Sequence, residues 1–189
     1  MRFPIPCVIF AGGKSSRMGR DKALLPFGGY DTLAEYQYRR LSVCFPTIYI
    51  SAKGNKFPFE APLIPDNKGK DLYAPTLGLQ AAFERLQSDF FVLSVDTPFV
   101  EEKEIAEIYE AYRREERDAV IARSPSGIHP MCGIYTVKMI PKLKKMMEQG
   151  IHRLNHLLKN SDTLFVDFSE EEPFYNINTP QQYEAVIRH

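Results

Sequence analysis

Lys14, Arg17, Arg20 and Lys22 bring four cations into nine residues of the stretch AGGKSSRMGRDK (11–22), with Asp21 as the single opposing charge. Just ahead of them Gly12 and Gly13 carry no Cβ, so backbone N–H groups can approach an anion closely. Cations and bare amides together suit a triphosphate, neutralised from several sides. A solvated basic turn has the same composition. Spacing excludes two other cradles. A Walker A loop ending in Gly13-Lys14-Ser15 needs its first glycine at residue 8, which is Val8. A dinucleotide fingerprint fails because Gly12 and Gly13 are adjacent and the next glycine is Gly19.

A second chemical centre is Asp96, which closes the apolar run DFFVLSVD (89–96) and precedes Thr-Pro-Phe. Mg²⁺ favours one or two carboxylates completed by phosphate oxygens and water, so Asp96 suits a metal bridging two phosphates. Capping of the turn before Pro98 is the other reading. In FYNINTP (174–180), Asn176 and Asn178 alternate on an extended segment, which lets both face one side. Two asparagines forming a turn would look the same. His129, before Pro130, reads as a structural histidine, with contact to a substrate as the alternative. His152 and His156 lie at i,i+4 without a third ligand, which disfavours zinc.

These groups need a frame, and the chain alternates short apolar runs with amphipathic ones. Strands are predicted over 5–11, 47–52, 61–65, 89–96, 118–123, near 131–136 and over 163–168. Helices are predicted over 31–45 (capped by Asp31 or Thr32), 76–87, 101–117, 138–150, 152–159 and 179–189, the last with Thr179 as cap and Pro180 at its first position. This alternation implies an α/β fold: a single Rossmann-like domain over residues 1–189, with a predominantly parallel sheet and helices on both faces. The irregular segment PDNKGKDLYAP (65–75) is long enough to be a site loop.

The totals set limits. The chain has 189 residues, of which 44% are hydrophobic and 25% charged, the profile of a soluble globular protein. Its 24 Lys plus Arg balance 24 Asp plus Glu, which argues against a nucleic-acid partner. Cys7, Cys44 and Cys132 form neither a disulfide framework nor a zinc spacing. The N-terminal apolar run is too short to span a membrane and lacks a signal-peptide layout, so a cytoplasmic protein is expected.

The segment FAGGKSSRMGRDKALLPFGG resembles the signature loop of nucleotidyltransferases with a glycosyltransferase-A-like fold, Ala-Gly-Gly-x-x-x-Arg-Met-Gly-x-Asp-Lys. Together with SVDTPF (94–99), HPMCGIY (129–135) and FYNINTP, it is most similar to the molybdenum cofactor guanylyltransferases. The resemblance implies transfer of GMP from GTP to the terminal phosphate of molybdenum-molybdopterin, with Mg²⁺ as cofactor. It also implies contact with cofactor-supplying and molybdoenzyme-maturation proteins, and a monomer is expected. Carried onto this chain, it makes Lys22 and Arg17 phosphate-binding catalytic residues and Asp96 the metal ligand. Phe10, Ala11, Gly12 and Gly13 become backbone contacts to the nucleotide, and Asp66 and Gly78 further nucleotide-site residues. Arg153, Asn176 and Asn178 fall on the acceptor side. Phe10 stands where the family more often has Leu, the loop is one residue shorter between Met-Gly and Asp-Lys than in some relatives, and two further departures bear on base recognition. Lys53 takes a nucleotide-binding position where an asparagine is frequent, with Asn55 two residues on, and the family's Gly-Pro-Leu-Ala-Gly turn is APTLG here. Alternatives are a relative that uses CTP or another phosphorylated acceptor, and a non-catalytic nucleotide-binding module.

Overall fold

The computed structural model of the chain describes residues 2–12, 19–66 and 74–187. The strands are β1 (Cys7–Phe10), β2 (Ile48–Ala52), β3 (Leu63–Pro65), β4 (Phe90–Ser94), β5 (Ala119–Ser124), β6 (Gly127–Tyr135) and β7 (Thr163–Asp167). The α-helices are α1 (Leu33–Leu41), α2 (Pro75–Leu86), α3 (Glu102–Arg114), α4 (Ile140–Glu148), α5 (Leu154–Lys159) and α6 (Pro180–Ile187). All seven strands join one sheet in the order β3-β2-β1-β4-β6-β5-β7.

The sheet is apolar on both faces, as expected where helices cover both sides. Alternation along β1 divides the core. Cys7 and Ile9 pack with Leu33, Ala34, Ile105 and Ile108 of α1 and α3, and Tyr183 and Val186 of α6 join that face. Val8 and Phe10 pack with Leu79 and Phe83 of α2, Leu143 and Met146 of α4, and Leu157 of α5. Among the helix caps, Thr32 accepts from the Glu35 N–H at 3.0 Å, so it is Thr32 rather than Asp31 that starts α1.

The sheet departs from parallel at β6, which runs antiparallel to both β4 and β5. The reason is local. Ser124 pairs with Gly127 across Pro125-Ser126, and Gly127 has φ of +130°, so β5 and β6 form a tight hairpin, which can only be antiparallel. β6 is also longer than expected from sequence. Its pairing with β4 stops at Cys132 opposite Leu93, and Gly127 to Met131 continue past the end of β4. Pro130, which lacks an N–H to donate, falls in this overhang rather than in the paired stretch.

Chain order gives the fold its functional edge. From β1 the chain moves outward through β2 to β3, then returns to β4 on the other side of β1, and all four run parallel. The reversal makes a topological switch point between β1 and β4, where open α/β sheets bind ligands at the carboxyl ends of their strands.

Candidate functional site

Phe10 and Ser94 are register partners and end their strands together, so the loops leaving β1 and β4 meet at one rim. Past β4 the backbone turns tightly: the Thr97 N–H and hydroxyl both donate to the Ser94 carbonyl, at 3.2 and 2.8 Å. Asp96 lies inside that turn, two residues beyond the strand, and Oδ1 accepts from the Ser94 hydroxyl at 2.6 Å.

Lys22 comes to the same point from the chain after β1. It begins a 3₁₀ turn, Lys22–Leu24, whose cap Asp21 accepts from the Ala23 N–H at 3.1 Å. The other Asp21 oxygen is ion-paired with Lys56, whose Nζ also donates to the Ala11 carbonyl at 3.0 Å. Asp21 therefore anchors the turn that carries Lys22. From there Lys22 Nζ donates to Asp96 Oδ2 at 2.5 Å and to Asn178 Oδ1 at 2.8 Å. The Lys22 and Asp96 side chains are only 17% and 16% exposed, so solvent screens the pair weakly.

The asparagine segment is tied to this turn by its backbone. The Ile177 N–H donates to the Asp96 carbonyl at 2.9 Å, and the Ile177 side chain is buried in the core. Alternation then sends Asn176 and Asn178 to the rim. Asn178 reaches Lys22, and Asn176 lines a cavity of about 290 Å³ that Asp96 and His129 also line. Gln182 holds the segment from behind: Oε1 accepts from the N–H groups of Asn178 and Thr179 at 2.8 and 3.0 Å, while Thr179 Oγ1 accepts from the Gln182 N–H at 3.2 Å. This is a capping box, legible in the Thr-x-x-Gln spacing but read there only as a Thr179 cap.

On the β2 and β3 side, the Ala11 N–H donates to the Ser51 carbonyl at 2.9 Å and the Asp66 N–H to the Ala52 carbonyl at 3.1 Å, extending the ladder to the rim. Gly12 lies so close to Asp66 that a Cβ there would collide with the carboxylate and sit 3.3 Å from Cγ. Burial pushes the Asp66 carboxyl above the ordinary carboxylate range, against the pull of its own N–H and of Lys53 and Lys56. Lys53 is exposed in the bend after β2. Asn55 serves its own loop by accepting from the Phe57 N–H at 3.2 Å.

Other expected site residues lie elsewhere. Gly78 is buried in α2, where a Cβ would strike the Phe10 ring and lie 3.1 Å from Ser51 Oγ. Its lack of a side chain lets α2 pack closely on the sheet, and it presents only backbone. The Phe10 side chain is likewise in the core, and its carbonyl accepts from the Val95 N–H at 3.0 Å. Arg153 stands at the N-cap position of α5 without a side-chain capping hydrogen bond, exposed and outside the Asp96 cavity. Neighbouring His152 is 3.1 Å from Thr76 Oγ1 through Nδ1. Gly13 and Arg17 lie outside the described residues, as do Lys14 and residues 67–73 of the irregular loop.

The structure adds two residues that sequence reasoning missed. Gln37, fully buried on α1, directs Nε2 at the carbonyls of Ser94, Val95 and Thr97 at 3.4, 3.2 and 3.1 Å. Its Oε1 accepts from Arg40 Nε at 2.7 Å, and Arg40 Nη1 donates to the Val100 carbonyl at 2.6 Å. A polar residue on the buried face of a helix was the available signal for Gln37. Lys56 had none beyond its charge.

The rim thus holds an ammonium and a carboxylate in contact, an amide pair beside them and a partly desolvated carboxyl against bare glycine backbone. All are built at the switch point of an open α/β sheet, which defines the class of protein that binds its ligand in the crevice at the carboxyl ends of the strands. A family model for the MobA-like NTP transferase domain matches residues 7–164. A molybdenum cofactor guanylyltransferase of Campylobacter jejuni subsp. jejuni (strain 81116) is 35% identical over 179 residues, 94% of this chain and 93% of its own. One from Helicobacter pylori (strain J99) is 34% identical over 190 residues, 97% of this chain and 88% of its own. The fold is also that of the molybdopterin-guanine dinucleotide biosynthesis protein A of Archaeoglobus fulgidus, with a TM-score of 0.82, 21% identity and 96% of each chain covered. The chain belongs to the MobA-like NTP transferase family and is a nucleotidyltransferase.

Proposed function

We propose that the protein transfers GMP from GTP to the terminal phosphate of molybdenum-molybdopterin, releasing pyrophosphate and forming the guanine dinucleotide cofactor. The observation that carries this reading is the convergence of Lys22, Asp96 and Asn178 on one point of the rim, within 2.8 Å. The names of the Campylobacter and Helicobacter relatives give the base and the acceptor. We place the reaction in the cytoplasm and in a monomer acting as one domain over residues 1–189. No helix among the described residues is long and apolar enough to cross a membrane.

The donor set fits Mg²⁺. The described residues hold no cluster of three or more His, Cys, Asp or Glu side chains, so a cage made wholly of protein ligands is not provided. One carboxylate at a phosphate site is the arrangement Mg²⁺ accepts, with phosphate oxygens and water completing its shell, and Asp96 would hold it. When bound, the metal supplies Lewis-acid polarisation of the phosphate and neutralises charge.

The attacking group, a terminal phosphate oxygen, is already an anion and needs no dedicated base. The chain's task is to position two anions and offset their repulsion, so electrostatics is the main catalytic term. Lys22 exchanges its protein acceptors for phosphate oxygens and stabilises the leaving pyrophosphate, with Arg17 and the N–H groups of Gly12 and Gly13 completing the cradle. Ala11 and Phe10 carry the strand into it, and Gly78 lets α2 approach. Asp66, whose ionised form burial disfavours, gains the compensation it lacks from the adjacent N1–H and amino donors of guanine. Lys53 offsets its charge from the bend. Asn176, Asn178 and Arg153 serve the acceptor.

Incubation with Mg²⁺ and each nucleoside triphosphate, with and without molybdopterin, tests the reading. The expected result is pyrophosphate and a guanine dinucleotide only when GTP and molybdopterin are both present. A cytosine dinucleotide would move the base assignment. Steady release of γ-phosphate instead would overturn the reading.

A further inference from the structure

The overhang of β6 makes one wall of the 290 Å³ cavity, and His129 stands in it, with Asp96 among the other lining residues. Its ring stacks on Phe174, with centroids 4.6 Å apart and planes 17° from parallel, and Nε2 lies 2.7 Å from Ser124 Oγ. The proton between those atoms is fixed by what lies behind them. Ser124 donates its single hydroxyl proton to Glu171 Oε2 at 2.5 Å, and Ser126 donates its own to Oε1 at 2.6 Å. A carboxylate only accepts, and these hydrogen bonds hold Glu171 below the usual carboxylate range, hence ionised. Ser124 Oγ must then accept from His129 Nε2–H, which leaves Nδ1 of the neutral ring as a lone pair. Nδ1 has no hydrogen bond among the described residues.

A lone pair backed by a carboxylate attracts an N–H and repels a phosphate oxygen. The opposite end of the rim, at Lys22, has the reverse preference. We propose that His129 is a specificity-determining residue for the acceptor: Nδ1 accepts a hydrogen bond from an N–H donor on the uncharged nitrogen heterocycle of the phosphorylated acceptor. The acceptor then lies with its phosphate toward Lys22 and its ring system against His129. The inference rests on the nucleotidyl-transfer reading and gives that site its polarity.

Three substitutions in the full chain separate recognition from support. The amide oxygen of His129→Asn falls near the position of Nδ1. The amide of His129→Gln falls near Nε2, where it keeps the tie to Ser124 but loses the acceptor at Nδ1. His129→Phe keeps only the stacking. The readouts are the Kd for molybdopterin from its fluorescence, without nucleotide, and the KM for GTP. We expect Gln and Phe to weaken molybdopterin binding about tenfold and Asn to recover most of it, with the KM for GTP within about twofold throughout. Recovery by Gln and not by Asn would make the ring a pin for Ser124 and overturn the inference. So would an unchanged Kd in all three variants, or no molybdopterin binding by the unsubstituted chain. Binding without dinucleotide formation would instead overturn the transfer reading alone.

Discussion

An ammonium wedged between a carboxylate and an amide oxygen, with little solvent around the charged pair, is electrostatically costly to remove. At the scale of single residues this gives the first expectation. Lys22→Ala and Asp96→Ala should each lower the rate of pyrophosphate release at least about a hundredfold, the usual consequence of losing one preorganised charge-stabilising group. Near-normal release by either would remove the basis of the mechanism. Gly12→Ala should displace the Asp66 carboxylate that a Cβ cannot share space with, weakening GTP binding about tenfold in a calorimetric titration. His129 gives a pH dependence. Burial depresses its pKa below the ordinary value, with Glu171 opposing; Asp96 and, on its own strand, Cys132 are the other titratable groups lining the cavity. Protonation fills Nδ1, so molybdopterin affinity should be flat at and above neutrality and fall only as pH drops through a range below that of an ordinary imidazole. The acceptor's phosphate titrates in this range too, and His129→Asn is the control that retains only that contribution.

At the scale of elements, the site depends on how α1 and the start of α6 hold two loops. Gln37 has only two amide hydrogens, yet three carbonyls of the turn carrying Asp96 surround them, and Arg40 fixes the amide from the other side. Gln37→Leu should leave the Val95 and Thr97 carbonyls without this donor, at a cost of about 1–3 kcal/mol in denaturant unfolding. The Mg²⁺ concentration for half-maximal rate should rise as well, which simple loss of stability would not cause. This arrangement explains the limits of the sequence reading. The ends of β1 and β4 were legible because apolar runs stop at glycine or aspartate. That Lys22 and Asp96 meet follows from their leaving adjacent parallel strands at the same register. The direction of β6 was not read, because Ser-Pro-Ser-Gly is a hairpin turn whose partner strands were treated separately. Gln37 and Lys56 were not found because their roles exist only once α1 and the loop after β2 are folded against the rim. Phe10 and Gly78 match sequence motifs, yet their side of the chain faces the core, a distinction that motif spacing does not encode.

At the scale of the whole molecule, the sheet separates two sealed cores, and the buried thiols Cys7 and Cys132 report on the one that faces α1 and α3. Burial pushes Cys7 and Cys132 well above the ordinary thiol range. We expect both to resist an aromatic disulfide reagent at pH 8 and to react in step with unfolding as denaturant is added, which a mass spectrum of the labelled chain would show. Early labelling of Cys132 would mean that the seam between β4 and β6 opens separately. The bond from Lys22 to Asn178 spans 156 positions, and Ile177 locks onto the backbone of Asp96. In chain order, therefore, every strand of the sheet is synthesised before the asparagine arm exists. A growing chain acquires its nucleotide-side residues first and its acceptor contacts last, so truncated products that lack the arm should form no dinucleotide.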